Sequence, residues 1–192
     1  MRQMDQRFFD AVEDNPIIAA IKGPEDLKEC CSIPEIRIVF ILYGDICSLK
    51  EIVKTIKDAG KIAMVHVDLI SGLSTREIAV DFVHTDTEAD GIITTRPALI
   101  KRAKELSLYT VLRVFLLDSM AYENICSQQY SVKPDFMEVL PGVMPKIIRK
   151  LSHSVKTRII AGGLISDRES VMAALDAGAC GVSSTCHQVW RM

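Results

Sequence analysis

The sequence predicts an α/β protein of the (β/α)8 barrel class. Three observations carry that reading. Short apolar runs alternate with polar turns and amphipathic stretches along all 192 residues, the rhythm of βα units around a parallel sheet. The runs are too uniformly apolar to alternate, as in strands buried on both faces. The last third holds two small-residue turns, Gly162-Gly163 and Ser183-Ser184, each at the end of such a run. Glycine lets backbone N–H groups approach an anion, and barrels of this class hold phosphate in the loops after strands seven and eight.

Taken in order, residues 3–14 read as an extra amphipathic helix with Phe8, Phe9 and Val12 on its apolar side. Asn15-Pro16 stops it, and its position before the first strand suits it to plug the barrel floor. Strands are predicted at 17–21, 36–43, 62–67, 91–94, 110–114, 136–139, 158–161 and 181–183. Ser48 before Leu49-Lys50-Glu51 and Ser166 before Asp167-Arg168-Glu169 read as capping boxes that start helices. Pro97 fits a first helical turn, and Gly60 and Gly178 fit helix ends. Only residues 185–192 follow the last strand, too few for a full eighth outer helix. The gap this leaves between strands eight and one calls for cover by the N-terminal helix or by another subunit, so a homo-oligomer is expected.

Bulk properties narrow the function classes. Residues 1–192 read as one domain, and no linker or low-complexity tract divides them. A net charge of −2 and a pI near 6.1 give no electrostatic sign of a nucleic-acid binder, and DNA is not expected as a partner. The six cysteines form no C-x-x-C, and no leader pattern follows Met1, so reduced thiols and a cytoplasmic location are expected. No apolar run approaches the ~20 residues that span a bilayer, so no membrane partner is expected.

The groups at strand ends define the candidate site. Lys22, Arg96 and Arg113 supply positive charge, while Asp68 and Glu138 can accept hydrogen bonds from hydroxyls. Gly142, Gly162, Gly163, Ser183 and Ser184 form the small-residue turns. A small phosphorylated polyol fits this set. His66 and Asp68 stand two apart on one strand face, most simply as a buried hydrogen-bonded pair, ahead of ligand contact and well ahead of metal binding. Glu138 ends an apolar strand and needs a partner, either ligand or Arg113. Lys146, Arg149 and Lys150 read as a solvated helix face more readily than as an RNA stripe. There is no G-x-G-x-x-G, P-loop, H-E-x-x-H or G-x-S-x-G, so no catalytic residue, metal or cofactor is assigned.

Several runs, in order and spanning nearly the whole chain, resemble the glycerol-3-phosphate-responsive antiterminator family. They are Asn15-Pro16 through Lys22, His66-Val67-Asp68-Leu69-Ile70-Ser71-Gly72, Asp90-Gly91-Ile92-Ile93-Thr94-Thr95-Arg96, and Arg113 through Ser119. Pro134 through Gly142, Ile160-Ala161-Gly162-Gly163, and Gly178 through Trp190 complete the pattern. The chain departs from it at Arg96, where the family usually has lysine, and at Cys186. The resemblance implies a non-enzymatic regulator with no cofactor. It would bind sn-glycerol 3-phosphate and then act on the leader mRNA of glycerol-catabolism genes so that transcription passes a terminator. RNA contact would fall first to Lys101, Arg102 and Lys104, and to Lys146, Arg149 and Lys150. Two alternatives stand beside it: a phosphosugar isomerase or lyase with His66 or Glu138 as base, and a sensor acting on a protein partner.

Overall fold

The computed structural model describes residues 6–192, apart from the side chains of 128–130. Eight strands alternate with helices and close into a barrel in sequence order. They are β1 (Ile17–Ile21), β2 (Ile38–Ile41), β3 (Ile62–His66), β4 (Gly91–Thr94), β5 (Tyr109–Phe115), β6 (Phe136–Leu140), β7 (Arg158–Gly162) and β8 (Gly181–Ser184). Every neighbouring pair is parallel, and β8 returns to β1 with Ile18 opposite Ser183. The predicted barrel class is therefore the observed one. Strands β5 to β8 run one residue beyond the predicted bounds at one or both ends, while β2 and β3 are shorter than predicted. Strand β2 is trimmed at both ends, and β3 stops at His66 because Val67–Leu69 winds into a 3-10 turn.

Outer helices follow each strand: α2 (Pro24–Ser32), α3 (Leu49–Asp58), α4 (Ile78–Asp86), α5 (Pro97–Glu105), α6 (Ser119–Val132), α7 (Pro145–Ser154) and α8 (Arg168–Asp176). Ser48 keeps the predicted N-cap position of α3 but its side chain makes no cap bond, and at α8 the cap falls to Asp167 instead of Ser166. The Ser48 backbone is already helical, and its N–H and hydroxyl both donate to Asp45 Oδ1, at 2.9 and 3.0 Å. At α8, Asp167 is the N-cap and accepts from the Ser170 N–H at 2.8 Å. A carboxylate also complements the positive end of the helix dipole, which a hydroxyl does not.

Two cores result from the period-2 alternation of the strands. One lies between strands and helices, and the other fills the barrel, where Phe40, Met64, Ile93, Val111 and Phe136 meet. Helix α1 (Arg7–Asp14) closes the floor: Phe8, Ala11 and Val12 are buried in the inner core, with the Phe8 ring 4.6 Å from that of Phe136. Residues 3–5 of the expected helix lie outside the described residues.

The last outer helix is cut to one turn, α9 (His187–Trp190), as expected. The gap beside it is closed from within the chain. Trp190 is 1% exposed, donates its indole N–H to Ser184 O at 2.7 Å, and stacks against His187. His187 Nε2 in turn meets Asp26 Oδ1 of α2 at 2.8 Å. That gap therefore gives no reason for a second subunit, and the sequence argument for an oligomer loses its premise.

Candidate functional site

The mouth of the barrel has a charged floor built from three strands. On β5 and β6, Arg113 and Glu138 stand opposite each other in register, both facing inward. Arg113 Nε donates to Glu138 Oε2 at 2.6 Å, and Ser183 Oγ on β8 donates to Oε1 at 2.5 Å. Glu138 is 1% exposed, so a carboxylate there is tolerable only with both oxygens bonded, as they are. No ion pair or hydrogen bond within the described residues occupies the Arg113 Nη groups. Gly162 makes the floor possible. A Cβ there would lie 2.6 Å from Ser183 Oγ and 2.7 Å from Glu138 Oε1, inside the contact distance of the bond it would cross.

Above the floor, the two small-residue turns meet. Ser184 Oγ donates to Ile165 O at 2.6 Å and accepts from the Cys186 N–H at 3.0 Å, stitching the loop after β7 to the loop after β8. Gly163 and Leu164 both have left-handed backbone, φ 76° and 63°. Glycine enters that region freely, whereas leucine is strained there. Gly142 fits between these loops because a Cβ would sit 2.9 Å from the Gly162 nitrogen, and its own N–H donates to Gly163 O at 3.1 Å. The turns border a cavity of about 410 Å³ whose wall includes Arg113, Glu138, Gly163, Leu164, Ser183 and Ser184. Among the described residues, the backbone N–H groups of Gly163, Leu164, Ile165 and Thr185 have no protein acceptor. The site thus offers a guanidinium below and unbonded amides at its corner, a set suited to an oxyanion.

Other candidate residues lie elsewhere or are already engaged. Asp68 accepts from Thr94 Oγ1 (3.1 Å), the Thr95 N–H (2.7 Å) and Arg96 Nε (3.3 Å), so it builds the loop between β4 and α5. Asp68 and Arg96 hold each other, and neither borders the cavity. His66 is 2% exposed and its Nδ1 has no hydrogen-bond partner, so the expected hydrogen-bonded pair with Asp68 does not form through that atom. Burial, then the positive charge of Arg113, push its pKa down to about 4, against a smaller opposing pull from Asp68. Its imidazole is neutral at pH 7. Lys22 ends β1 with an exposed side chain outside the cavity wall, and its backbone N–H caps onto Asp26 Oδ2 at 2.7 Å.

The basic residues considered for RNA fall on two outer helices. On α5, Arg102 pairs with Asp81 and Glu105, and Lys104 donates to Lys133 O, while Lys101 is exposed. On α7, Arg149 donates to Asp176 O at 3.3 Å, Lys150 sits over the Tyr122 ring, and Lys146 is exposed. Sequence reasoning missed Leu42, Ser166 and Cys186 in the cavity wall. The Leu42 signal was present, since it continues the inward parity of Ile38 and Phe40. Among the described residues, no three His, Cys, Asp or Glu side chains are grouped to hold a metal.

Fold and site define a parallel eight-stranded barrel with an amide-cornered pocket at its carboxyl mouth. Residues 17–190 match the glycerol-3-phosphate responsive antiterminator family, and the chain belongs to it. It is similar to the glycerol uptake operon antiterminator regulatory protein of Listeria monocytogenes, at 31% identity and TM-score 0.89, over 93% of this chain and 96% of that one. A glycerol uptake operon antiterminator-related protein from Thermotoga maritima is 36% identical, with TM-score 0.81 over 92% of this chain and 98% of that one. The uncharacterized protein YgcP of Escherichia coli (strain K12) is 39% identical over 181 residues, 94% of each chain.

Proposed function

We propose that this protein is an antitermination regulator that senses sn-glycerol 3-phosphate in the mouth pocket. With ligand bound, it engages the leader mRNA of glycerol-catabolism genes. Family membership supports the responsiveness, and one structural observation supports the place: unbonded amides of Gly163, Leu164, Ile165 and Thr185 beside Arg113 in a pocket of about 410 Å³. That volume lies in the range of small-molecule sites, roughly 300–1,000 Å³. In this reading the phosphate sits on the corner amides, Arg113 balances its charge, and the glycerol hydroxyls reach toward Glu138 and Ser183. Gly162, Ser184 and Gly142 hold the corner in shape. Asp68, Arg96 and His66 support the neighbouring loops and strands instead of touching the ligand, and Lys22 adds charge at the rim.

An enzyme reading is less well supported. Both Glu138 oxygens are bonded to protein groups, and His66 is buried with its pKa lowered to about 4, which makes it an inaccessible and weak base. Calorimetry with glycerol 3-phosphate, glycerol and inorganic phosphate tests the ligand. Saturable heat is expected for the phosphoester, little for glycerol, and loss of binding in Gly163→Asp, whose carboxylate would face the anion. A leader-RNA gel shift with and without glycerol 3-phosphate tests the output, and equal affinity in both lanes would refute it.

A further inference from the structure

We infer that the rim formed by the loops after β5, β6 and β7 is where a second copy of this chain docks about a two-fold axis. The inference stands on this surface alone and does not depend on the ligand. Phe115, Leu117, Met120, Val143, Ile147 and Leu164 are exposed large apolar residues at the end of β5, on three consecutive mouth loops and on the helix ends they feed. Leu117 is 82% exposed and Leu164 77%, and Leu164 keeps that position on a left-handed, strained backbone. Single exposed apolar residues need no explanation, but six in one neighbourhood mark a contact surface.

The surface carries both a hole and the knobs to fill it. Between α6 and α7 lies a groove of about 530 Å³ walled by Leu116, Leu117, Tyr122, Met144 and Ile147. Leu117, on its wall, and Met120, next to the wall residue Ser119 in α6, are exposed at its edge. A two-fold contact requires one patch to complement itself, and adjacent knobs and a groove satisfy that requirement.

Charge points the same way. Glu123 on α6 and Lys150 on α7 both border the groove and are exposed, yet they form no ion pair with each other or with any described residue. A two-fold axis over the groove sets α6 of one copy against α7 of the other, acid to base on both sides. RNA is disfavoured here because Asp118 and Glu123 line the groove with only Lys150 to offset them.

Sedimentation equilibrium of the full chain tests the proposal. The wild type should dimerise at micromolar concentration. Leu117→Asp should weaken the dimer at least about tenfold while retaining the wild-type circular dichroism spectrum. Met172→Asp, on the exposed face of α8, should change nothing. Glu123→Lys and Lys150→Glu should each weaken self-association, and an equimolar mixture of the two should restore it, since only the heterodimer pairs every acid with a base. A strictly monomeric wild type, a dimer indifferent to Leu117→Asp, or a mixture no tighter than its parts would overturn the inference. So would loss of leader-RNA binding in Leu117→Asp with the oligomeric state unchanged, which would assign the rim to RNA.

Discussion

At the scale of single residues, the site depends on what is missing at Gly162 as much as on what is present at Glu138. The Ser183–Glu138 bond runs where a Gly162 side chain would stand. Gly162→Ala must therefore push Ser183 away and leave one oxygen of a buried carboxylate unbonded. A cost of about 1–3 kcal/mol in urea unfolding is expected, together with loss of the calorimetric signal for glycerol 3-phosphate. Unchanged stability would mean that the floor is not the rigid element described. His66 gives a second test through pH. Its imidazole titrates at 6.5 when unperturbed and at about 4 in the fold, so between those values the unfolded chain binds more protons. The contribution is complete above pH 6.5 and is lost as pH falls toward 4, up to about 3 kcal/mol over the whole window. His66→Gln removes that dependence. The stability of wild type relative to His66→Gln should decline from pH 7 to pH 4 in parallel urea titrations, and a flat difference would count against the buried neutral state.

At the scale of elements, helix α8 separates two readings of its own start. The geometry assigns the cap to Asp167, which bonds the Ser170 N–H, while the Ser166 hydroxyl makes no cap bond. Asp167→Ala should cost about 1 kcal/mol and Ser166→Ala much less, measured as shifts in the urea midpoint. The reverse order would restore Ser166 as the cap. This case also marks what could be read in the sequence. Strand order and number were legible because uniformly apolar runs with period-2 parity admit few placements, and the mouth turns were legible because Gly163 and Ser184 follow such runs directly. Pairings that depend on rotamer and loop path were not. Nothing in spacing alone says that Asp68 turns toward Thr94, Thr95 and Arg96 instead of His66. Likewise, only the folded path of α9 reveals that Trp190 fills the gap beside β8.

At the scale of the whole molecule, the chain itself seals the barrel floor with α1 and the side gap with Trp190, so what remains open is the carboxyl mouth. The pocket and the apolar rim share that mouth through one residue, Leu164, which borders the cavity and projects from the rim. A ligand that orders the Gly163–Leu164 turn therefore acts on the rim proposed for the second copy, and reaches RNA bound elsewhere through that contact. If ligand and RNA are coupled, thermodynamic linkage makes the coupling reciprocal: the factor by which glycerol 3-phosphate tightens RNA binding equals the factor by which RNA tightens glycerol 3-phosphate binding. Couplings of this kind run about 5–150-fold. The expected result is a leader-RNA titration that tightens within that range at saturating glycerol 3-phosphate, and a calorimetric ligand affinity that tightens by the same factor at saturating RNA. Leu164→Gly should leave ligand binding nearly intact, because the backbone amide and its left-handed geometry are kept, yet reduce the coupling factor toward one, because the projecting side chain is gone. A variant with full coupling would show that the signal leaves the pocket by another route, with the outer helices α5 and α7 the next place to cut.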